Sequence, residues 1–345
     1  MESARLEVAQ RTDSGRDPNK QVNEDAAGQQ ATPLGHVLVV CDGMGGHALG
    51  QEASQLALRT IIQTIESAPP GTPPGAALAR AITQAGRVVY QMGGTGPQAG
   101  RPGSTCVAVL IHGACAEIAH VGDSRAYLVR QGQIWQLTKD HSVVQQMVDV
   151  GAIAPEQAVM HPEANKITRA LGMKLETDVE LREPALPCTA DDIFVLATDG
   201  LCDLVRNEEI AAVIARTGKL ELASEELVRM ANDRGGHDNI TVQIARVLPQ
   251  PGTRPTLPDP ITATIVDPRP APLPEKTLVD PTTVRPPPYS GPTTPLAASP
   301  VAGHPATHPG GAPSRRGWMV LVLGFVWVAV ILGGVLLWWA LRGPR

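Results

Sequence analysis

Four aspartates of this chain share one setting, for each flanks a short apolar run that reads as a buried strand. Asp42 ends His36-Val-Leu-Val-Val-Cys41, and Asp123 lies between two such runs in Val121-Gly-Asp-Ser-Arg125. Asp199 closely follows Asp192-Ile-Phe-Val-Leu-Ala197, and Asp238 precedes a last run from Asn239 to Val247. Loops at the ends of central strands can converge on one edge of a sandwich, where carboxylates distant in sequence meet. Crowded carboxylates repel one another unless a cation sits among them. No matching set of His or Cys ligands accompanies them, so the ion that suits them is hard and oxygen-preferring, Mg2+ or Mn2+ and not Zn2+. In Asp42-Gly43 and Asp199-Gly200 the missing Cβ permits a tight turn and lets a backbone carbonyl approach an ion or its water. One such pair alone would be an ordinary hairpin turn; their number and order favour the metal.

The elements that must position these residues follow from periodicity. The spacing of Ala53, Leu56, Ala57, Thr60 and Ile61 predicts a helix over 51–65, and a similar stripe predicts one over 76–89. Gly93 to Gly103 is a glycine-rich break. Closely spaced strands follow at 105–111, 116–120, 126–130 and 134–137, and their short connections imply antiparallel hairpins. Helices are expected at 208–214 and 220–231, before the final strand. Strands and helices are segregated, which predicts an α+β fold with two antiparallel β-sheets sandwiched between helix layers, αββα.

Composition divides the 345 residues in three. Residues 1–248 read as a globular domain. From Pro249 to Gly317 proline recurs every few residues with little apolar surface between, predicting a disordered linker. From Trp318 to Leu341 no charged residue occurs, and the stretch exceeds the roughly 20 residues that span a bilayer core. It is expected to be a transmembrane helix, with Trp318, Trp338 and Trp339 at the interfaces and residues 342–345 as a short tail. Arg315 and Arg316 balance Arg342 and Arg345, so flanking charge does not set the orientation. The odd set of five cysteines reads as reduced core residues, and Met1-Glu-Ser-Ala-Arg5 lacks the apolar stretch of a signal peptide. A cytoplasmic domain on a single-pass membrane anchor is therefore expected. The net charge of −5 argues against a nucleic-acid partner.

Across residues 5 to 247 the sequence resembles the protein phosphatase 2C (PPM) family, bacterial metal-dependent Ser/Thr phosphatases in particular. The resemblance is carried by Asn23-Glu-Asp25, Asp42-Gly-Met-Gly-Gly46, Gly103-Ser-Thr105, Val121-Gly-Asp-Ser-Arg125 and Leu137-Thr-Lys-Asp-His-Ser142, then by Ile167-Thr-Arg-Ala-Leu-Gly172, Ala197-Thr-Asp-Gly-Leu-Cys-Asp203 and His237-Asp-Asn239. It implies hydrolysis of phosphoserine and phosphothreonine by water activated between two Mn2+ or Mg2+ ions, or three where a weaker site fills. Asp42 looks like the bridging carboxylate and Gly43 like a carbonyl ligand of one ion. Asp199 and Asp238 look like ligands of the other, Asp25 like a holder of coordinated water, and Asp123 with Asp199 like the pair for the third. Asn239 resembles a residue that orients a neighbour or a ligand water, and Glu24 belongs to the supporting Glu-Asp pair. Phosphorylated proteins, including receptor-like Ser/Thr kinases and their targets, are the implied partners.

The sequence departs from the family pattern in two places. Most relatives carry an arginine four residues before the Glu-Asp glutamate; here Lys20 stands there, supplying charge without a planar fork, with Arg16 near enough in sequence to substitute. Met44 replaces the histidine of eukaryotic members, and His47 is out of register and reads as a loop residue. Ser142 to Arg169 matches the family's flap, with a helix over 143–150 and a turn at Met160-His-Pro162. The lysine motivates a rival reading as a phosphoprotein-binding pseudophosphatase or sensor, and Arg285-Pro-Pro-Pro288 a weaker one as a scaffold.

Overall fold

A computed structural model describes residues 5–20, 22–46, 48–93, 101–158 and 160–249. All but the first residue of the expected linker, the 318–341 span and the tail lie outside the described residues, as do His47 and most of the glycine-rich break. Among the described residues no helix is long and apolar enough to cross a membrane.

The chain opens with β1 (Leu6–Asp13), β2 (Ala26–Thr32), β3 (Gly35–Cys41) and β4 (Gly43–Met44), followed by α1 (Ala48–Glu66) and α2 (Pro74–Met92). Next come β5 (Gly103–Ser104), β6 (Cys106–His112), β7 (Cys115–Val121), β8 (Arg125–Arg130) and β9 (Gln133–Gln136). The flap carries α3 (Val143–Asp149) and α4 (Pro155–Ala158), and β10 (Glu180–Leu181), β11 (Leu186–Pro187) and β12 (Ile193–Ala197) follow. The domain closes with α5 (Asp199–Cys202), α6 (Asn207–Thr217), α7 (Leu220–Asp233) and β13 (Ile240–Val247).

Two large antiparallel sheets result, one ordered β1-β13-β12-β8-β9, the other β10-β7-β6-β3-β2 with β11 also on β7, while β4 and β5 pair in a separate short ribbon. Their strands are apolar on both faces because each face has a layer to meet. Leu38, Val40, Val107, Val109, Leu128, Phe194 and Leu196 form the layer between the sheets. The alternate residues of β3 and β6, among them Val37, Val39 and Ala108, pack against Ile61, Leu78 and Ile82 of α1 and α2. On the other side Tyr127, Val195 and Ile244 meet Ile210, Ile214 and Leu227 of α6 and α7. This is the αββα sandwich the sequence implied. The five cysteines are free, as expected, with Cys41, Cys106 and Cys188 buried.

Four strands of these two sheets carry no sequence expectation. β1 and β2 are sheet edges, and their sequences Leu-Glu-Val-Ala-Gln-Arg-Thr-Asp and Ala-Ala-Gly-Gln-Gln-Ala-Thr are polar because an edge strand of a covered sheet buries little. β10 and β11 are two residues each, too short to show alternation. The flap helix forms where expected, capped by Ser142, whose side chain accepts from Gln145 N at 3.2 Å.

Candidate functional site

Strand register brings the aspartates together. Ala26 pairs with Cys41, so Asp25 and Asp42, the next residues out, emerge side by side. Cys106 pairs with Val121, which sets Thr105 beside the Gly122-Asp123 turn. Ala197 pairs with both Arg125 and Val242, so Asp199 leaves β12 between the Asp123 loop and the Asp238 loop. Five carboxylates thus collect at one end of the sandwich, beside the ends of β2, β3, β7, β12 and β13. Two glycines make the approach possible: a Cβ on Gly43 would lie 2.1 Å from Gly50 O, and one on Gly200 2.1 Å from Asn239 O.

Their proximity shows in their acidities. Burial, and then the charges of Asp25, Asp199, Asp123 and Asp238, push Asp42 well above the usual carboxylate range. Burial and neighbouring carboxylates likewise raise Asp123, with Asp199 the largest charge acting on it. Asp25 is pushed up to about 7 by burial, against a hydrogen bond from Thr198 Oγ1 at 3.0 Å. Asp199 is pushed up to about 6 by burial and by Asp238. Oδ1 of Asp25 and Oδ1 of Asp199 are buried and make no hydrogen bond, so each retains an unused acceptor. Buried, oxygen-only, mutually repelling and partly orphaned, these groups fit hard divalent cations.

The carboxylates stand wider apart than a closed cage. Among the described residues the trio of His, Cys, Asp or Glu with ligand atoms within 4.8 Å of one another is His120, His141 and Glu180, not a set of aspartates. Lys20 Nζ donates to Asp238 Oδ2 at the edge of the cluster. Burial pulls the Lys20 pKa down, but Asp238, Asp199 and Asp42 outweigh it and leave a net rise. Arg16 is exposed; its backbone N–H donates to Gly236 O at 2.6 Å, and its stem lies beside Gly236.

Asn239 and Glu24 act as braces. Asn239 Oδ1 accepts from Glu24 N at 2.7 Å, and its Nδ2 donates to Ser14 O at 3.1 Å. Glu24 O in turn accepts from Gly43 N at 3.1 Å. The Glu24, Gly43 and Asp238 loops are thereby linked.

Several supporting residues carry no sequence expectation of their own. Thr198 Oγ1 donates to Asp25 and accepts from Thr241 N at 3.0 Å. Thr105 Oγ1 accepts from Asp42 N at 3.0 Å and shares a 2.7 Å hydrogen bond with Ser124 Oγ. Arg125 grips Asp140 through two nitrogens at 2.6 and 2.9 Å, bracing the turn after Asp123. Asp203 is half-buried near Asp140 and Asp238, and its pKa is raised, chiefly by desolvation. Each lies inside a motif block already singled out, and it was their hydroxyls and second acids that held the unread signal.

Residues 15–239 match the family described as protein phosphatase 2C. The serine/threonine protein phosphatase PstP of Mycobacterium tuberculosis is 36% identical over 213 residues, covering 61% of this chain and 40% of that protein. This chain therefore matches less than half the length of that relative. The serine/threonine phosphatase stp of Listeria monocytogenes is 32% identical over 253 residues, covering 70% of this chain and 96% of that one. Among solved structures, the S. agalactiae serine/threonine phosphatase aligns with a TM-score of 0.65 and 31% identity over 70% of this chain and 100% of that chain. The catalytic domain of PstP in complex with 2 manganese ions aligns with a TM-score of 0.61 and 33% identity, covering 71% of this chain and 99% of that one.

Proposed function

This chain belongs to the protein phosphatase 2C family, and on that premise we propose that it is a metal-dependent protein phosphatase acting on phosphoserine and phosphothreonine. The observation that carries the reading is the convergence of Asp25, Asp42, Asp123, Asp199 and Asp238 at one sheet end, set by strand register. Asp42 with the Gly43 carbonyl would hold one Mn2+ or Mg2+ ion, Asp42 with Asp199 and Asp238 a second, and Asp123 with Asp199 a third, weaker one. When bound, such a pair of ions supplies Lewis acidity that activates water and clamps a phosphate oxygen.

The residues of the chain do the rest. Asp25, fixed by Thr198, offers an unsatisfied buried oxygen as acceptor for an attacking water. Lys20 brings a mobile positive charge to the cluster's exposed side and can leave Asp238 for the substrate phosphate. Arg16 is a second cation on the same loop. Asn239 and Glu24 hold the metal-bearing loops in register. Support for a pseudophosphatase is lacking, since each carboxylate position of the family pattern is filled.

The 318–341 stretch supports anchoring of the enzyme in a membrane, with its domain proposed to lie in the cytoplasm, close to receptor-like Ser/Thr kinases and their targets as substrates. Recovery of the full-length protein in the soluble fraction would refute the anchor. The activity is tested with the purified protein: Mn2+- or Mg2+-dependent release of phosphate from a phosphothreonine peptide is expected, and none at millimolar metal would refute it.

A further inference from the structure

His141 lies outside the carboxylate cluster, yet its hydrogen bonds reach both the Asp123 loop and the flap. Its backbone N–H donates to Gly122 O at 2.9 Å, while its Nδ1 accepts from Gly122 N at 3.1 Å. One residue thus clasps both polar groups of the glycine that precedes Asp123. Its own carbonyl accepts from Thr168 N at 2.6 Å, at the far end of the flap. The next residue, Ser142, caps α3 and bridges to Ile167. The flap therefore leaves and re-enters the domain at His141.

The ring itself is held on three sides. Because Nδ1 accepts a backbone N–H, the neutral ring carries its proton on Nε2, which faces Glu180 Oε2 at 3.1 Å. Arg169 Nη1 lies 3.4 Å from the same nitrogen and pairs with Asp178 at 3.2 Å. His120 stacks on the ring at 4.5 Å and 16°, its Nε2 bonded to Lys139 O at 2.7 Å.

His120, His141 and Glu180 are close enough to suggest a transition-metal site. The tautomer decides against it. A metal-ligating imidazole donates through its other nitrogen. His120 meets that condition, but His141 Nδ1 already accepts, and ligation through Nε2 would set two donors, Nδ1–H and Gly122 N–H, against each other.

We propose that His141 is a positioning residue that locks the Asp123 loop and the base of the flap into one unit, so that ion affinity at Asp123 and the seating of a phosphopeptide depend on it together. This rests on the phosphatase reading above.

Amide hydrogen exchange on the full chain carrying His141→Asn or His141→Gln tests the proposal. Asparagine sets an acceptor oxygen where Nδ1 stands, whereas glutamine reaches toward the Nε2 position and leaves Gly122 N–H without its partner. His141→Gln is expected to speed exchange in segments 120–123 and 142–150 by about tenfold, near the worth of one hydrogen bond, with β6 unchanged. His141→Asn is expected to keep segment 120–123 at the unsubstituted rate. Unchanged exchange in His141→Gln, or equal acceleration in both variants, overturns the proposal. Mn2+ calorimetry and kinetics supply the functional readout: His141→Gln should weaken the last ion bound and raise KM for a phosphothreonine peptide more than for p-nitrophenyl phosphate. A fall in kcat alone, equal for both substrates, also overturns it. Absence of Mn2+ binding in the unsubstituted protein would sink the phosphatase reading, and the exchange comparison would still decide the role of His141. Should a variant not fold, the Gly122 amide of the unsubstituted protein decides: slow exchange supports the clasp, and exchange at the free-amide rate overturns it.

Discussion

Lys20 and Asp238 form an ion pair, so the lysine expected to meet substrate phosphate leans on a carboxylate expected to hold an ion. The two side chains are 45% and 21% exposed, which leaves the pair screened by solvent and easy to exchange. A phosphate arriving at the cluster and a cation arriving at Asp238 would therefore both favour opening it. Arginine at this position could grip phosphate with two parallel N–H donors, which an ammonium cannot do. Lys20→Arg is expected to lower KM for a phosphothreonine peptide by about three- to tenfold, with kcat little changed, on the scale of one added hydrogen bond of ordinary net strength. Steady-state kinetics at saturating Mn2+ checks it, and an unchanged KM would show that Lys20 does not touch the phosphate.

Asp42 is surrounded by other carboxylates, and its pKa is pushed well above the usual carboxylate range by burial and then by four neighbouring aspartates. Asp42→Asn is expected to reduce turnover by at least about a thousandfold, roughly 4 kcal/mol of barrier. The metal-free protein should nevertheless melt at the same temperature or higher, because the substitution removes repulsion and not packing. Thermal melts in a chelator beside activity in Mn2+ separate the two effects. A metal-free variant that melts well below the unsubstituted protein would show that Asp42 stabilises the fold.

The raised pKa values fix a pH dependence. Asp25 is pushed up to about 7 and Asp199 to about 6, each from an ordinary value of 3.8. In the unfolded chain both would ionise near pH 4, so between that pH and neutrality the folded state holds more protons than the unfolded one. Stability from these groups is fully present below about pH 4 and is lost as pH rises through 6 to 7. A divalent ion reverses the loss by pairing with the ionised carboxylates. The rise in melting temperature on adding Mn2+ is expected to be small at pH 5 and larger at pH 7.5. Equal shifts at the two pH values would show that the carboxylates are not what the ion engages.

How much of this was legible beforehand depended on burial. Val37 to Cys41, Val107 to Ile111 and Phe194 to Leu196 are covered on both faces, so their composition alone marked them as strands. Leu6–Asp13 and Ala26–Thr32 have one open edge and too few apolar residues to mark them as strands, although it is β2 that delivers Asp25 to Asp42. The aspartates announced themselves through their places at strand ends. Thr198, Thr105 and Arg125 did not, because a hydroxyl or guanidinium gains its role from a partner far along the chain: Asp25 lies 173 residues from Thr198. Lys20 was legible as a charge, while its pairing with Asp238 depends on where two loops fold.

Gly43 offers the last test, one that separates close approach from turn geometry. A Cβ there would sit 2.1 Å from Gly50 O and 2.5 Å from Glu24 O, both backbone atoms that cannot swing away. Gly43→Ala must therefore push β4 from the start of α1 and from the Glu24 loop, which carries Asp25. Overpacking of this kind costs about 1–3 kcal/mol or more, and in a domain of this size each kcal/mol lowers the melting temperature by about 2–4 °C. Gly113, in the turn between β6 and β7, has φ +53° with nothing within 4 Å of its would-be Cβ. Gly113→Ala should cost only the left-handed backbone penalty, about 1–2 kcal/mol, and spare Mn2+-dependent activity. Gly43→Ala should lose both stability and activity, since the atoms displaced are those that hold Asp42 and Asp25 side by side. If its activity and melting temperature match those of Gly113→Ala, the close approach at Gly43 does not organise the site.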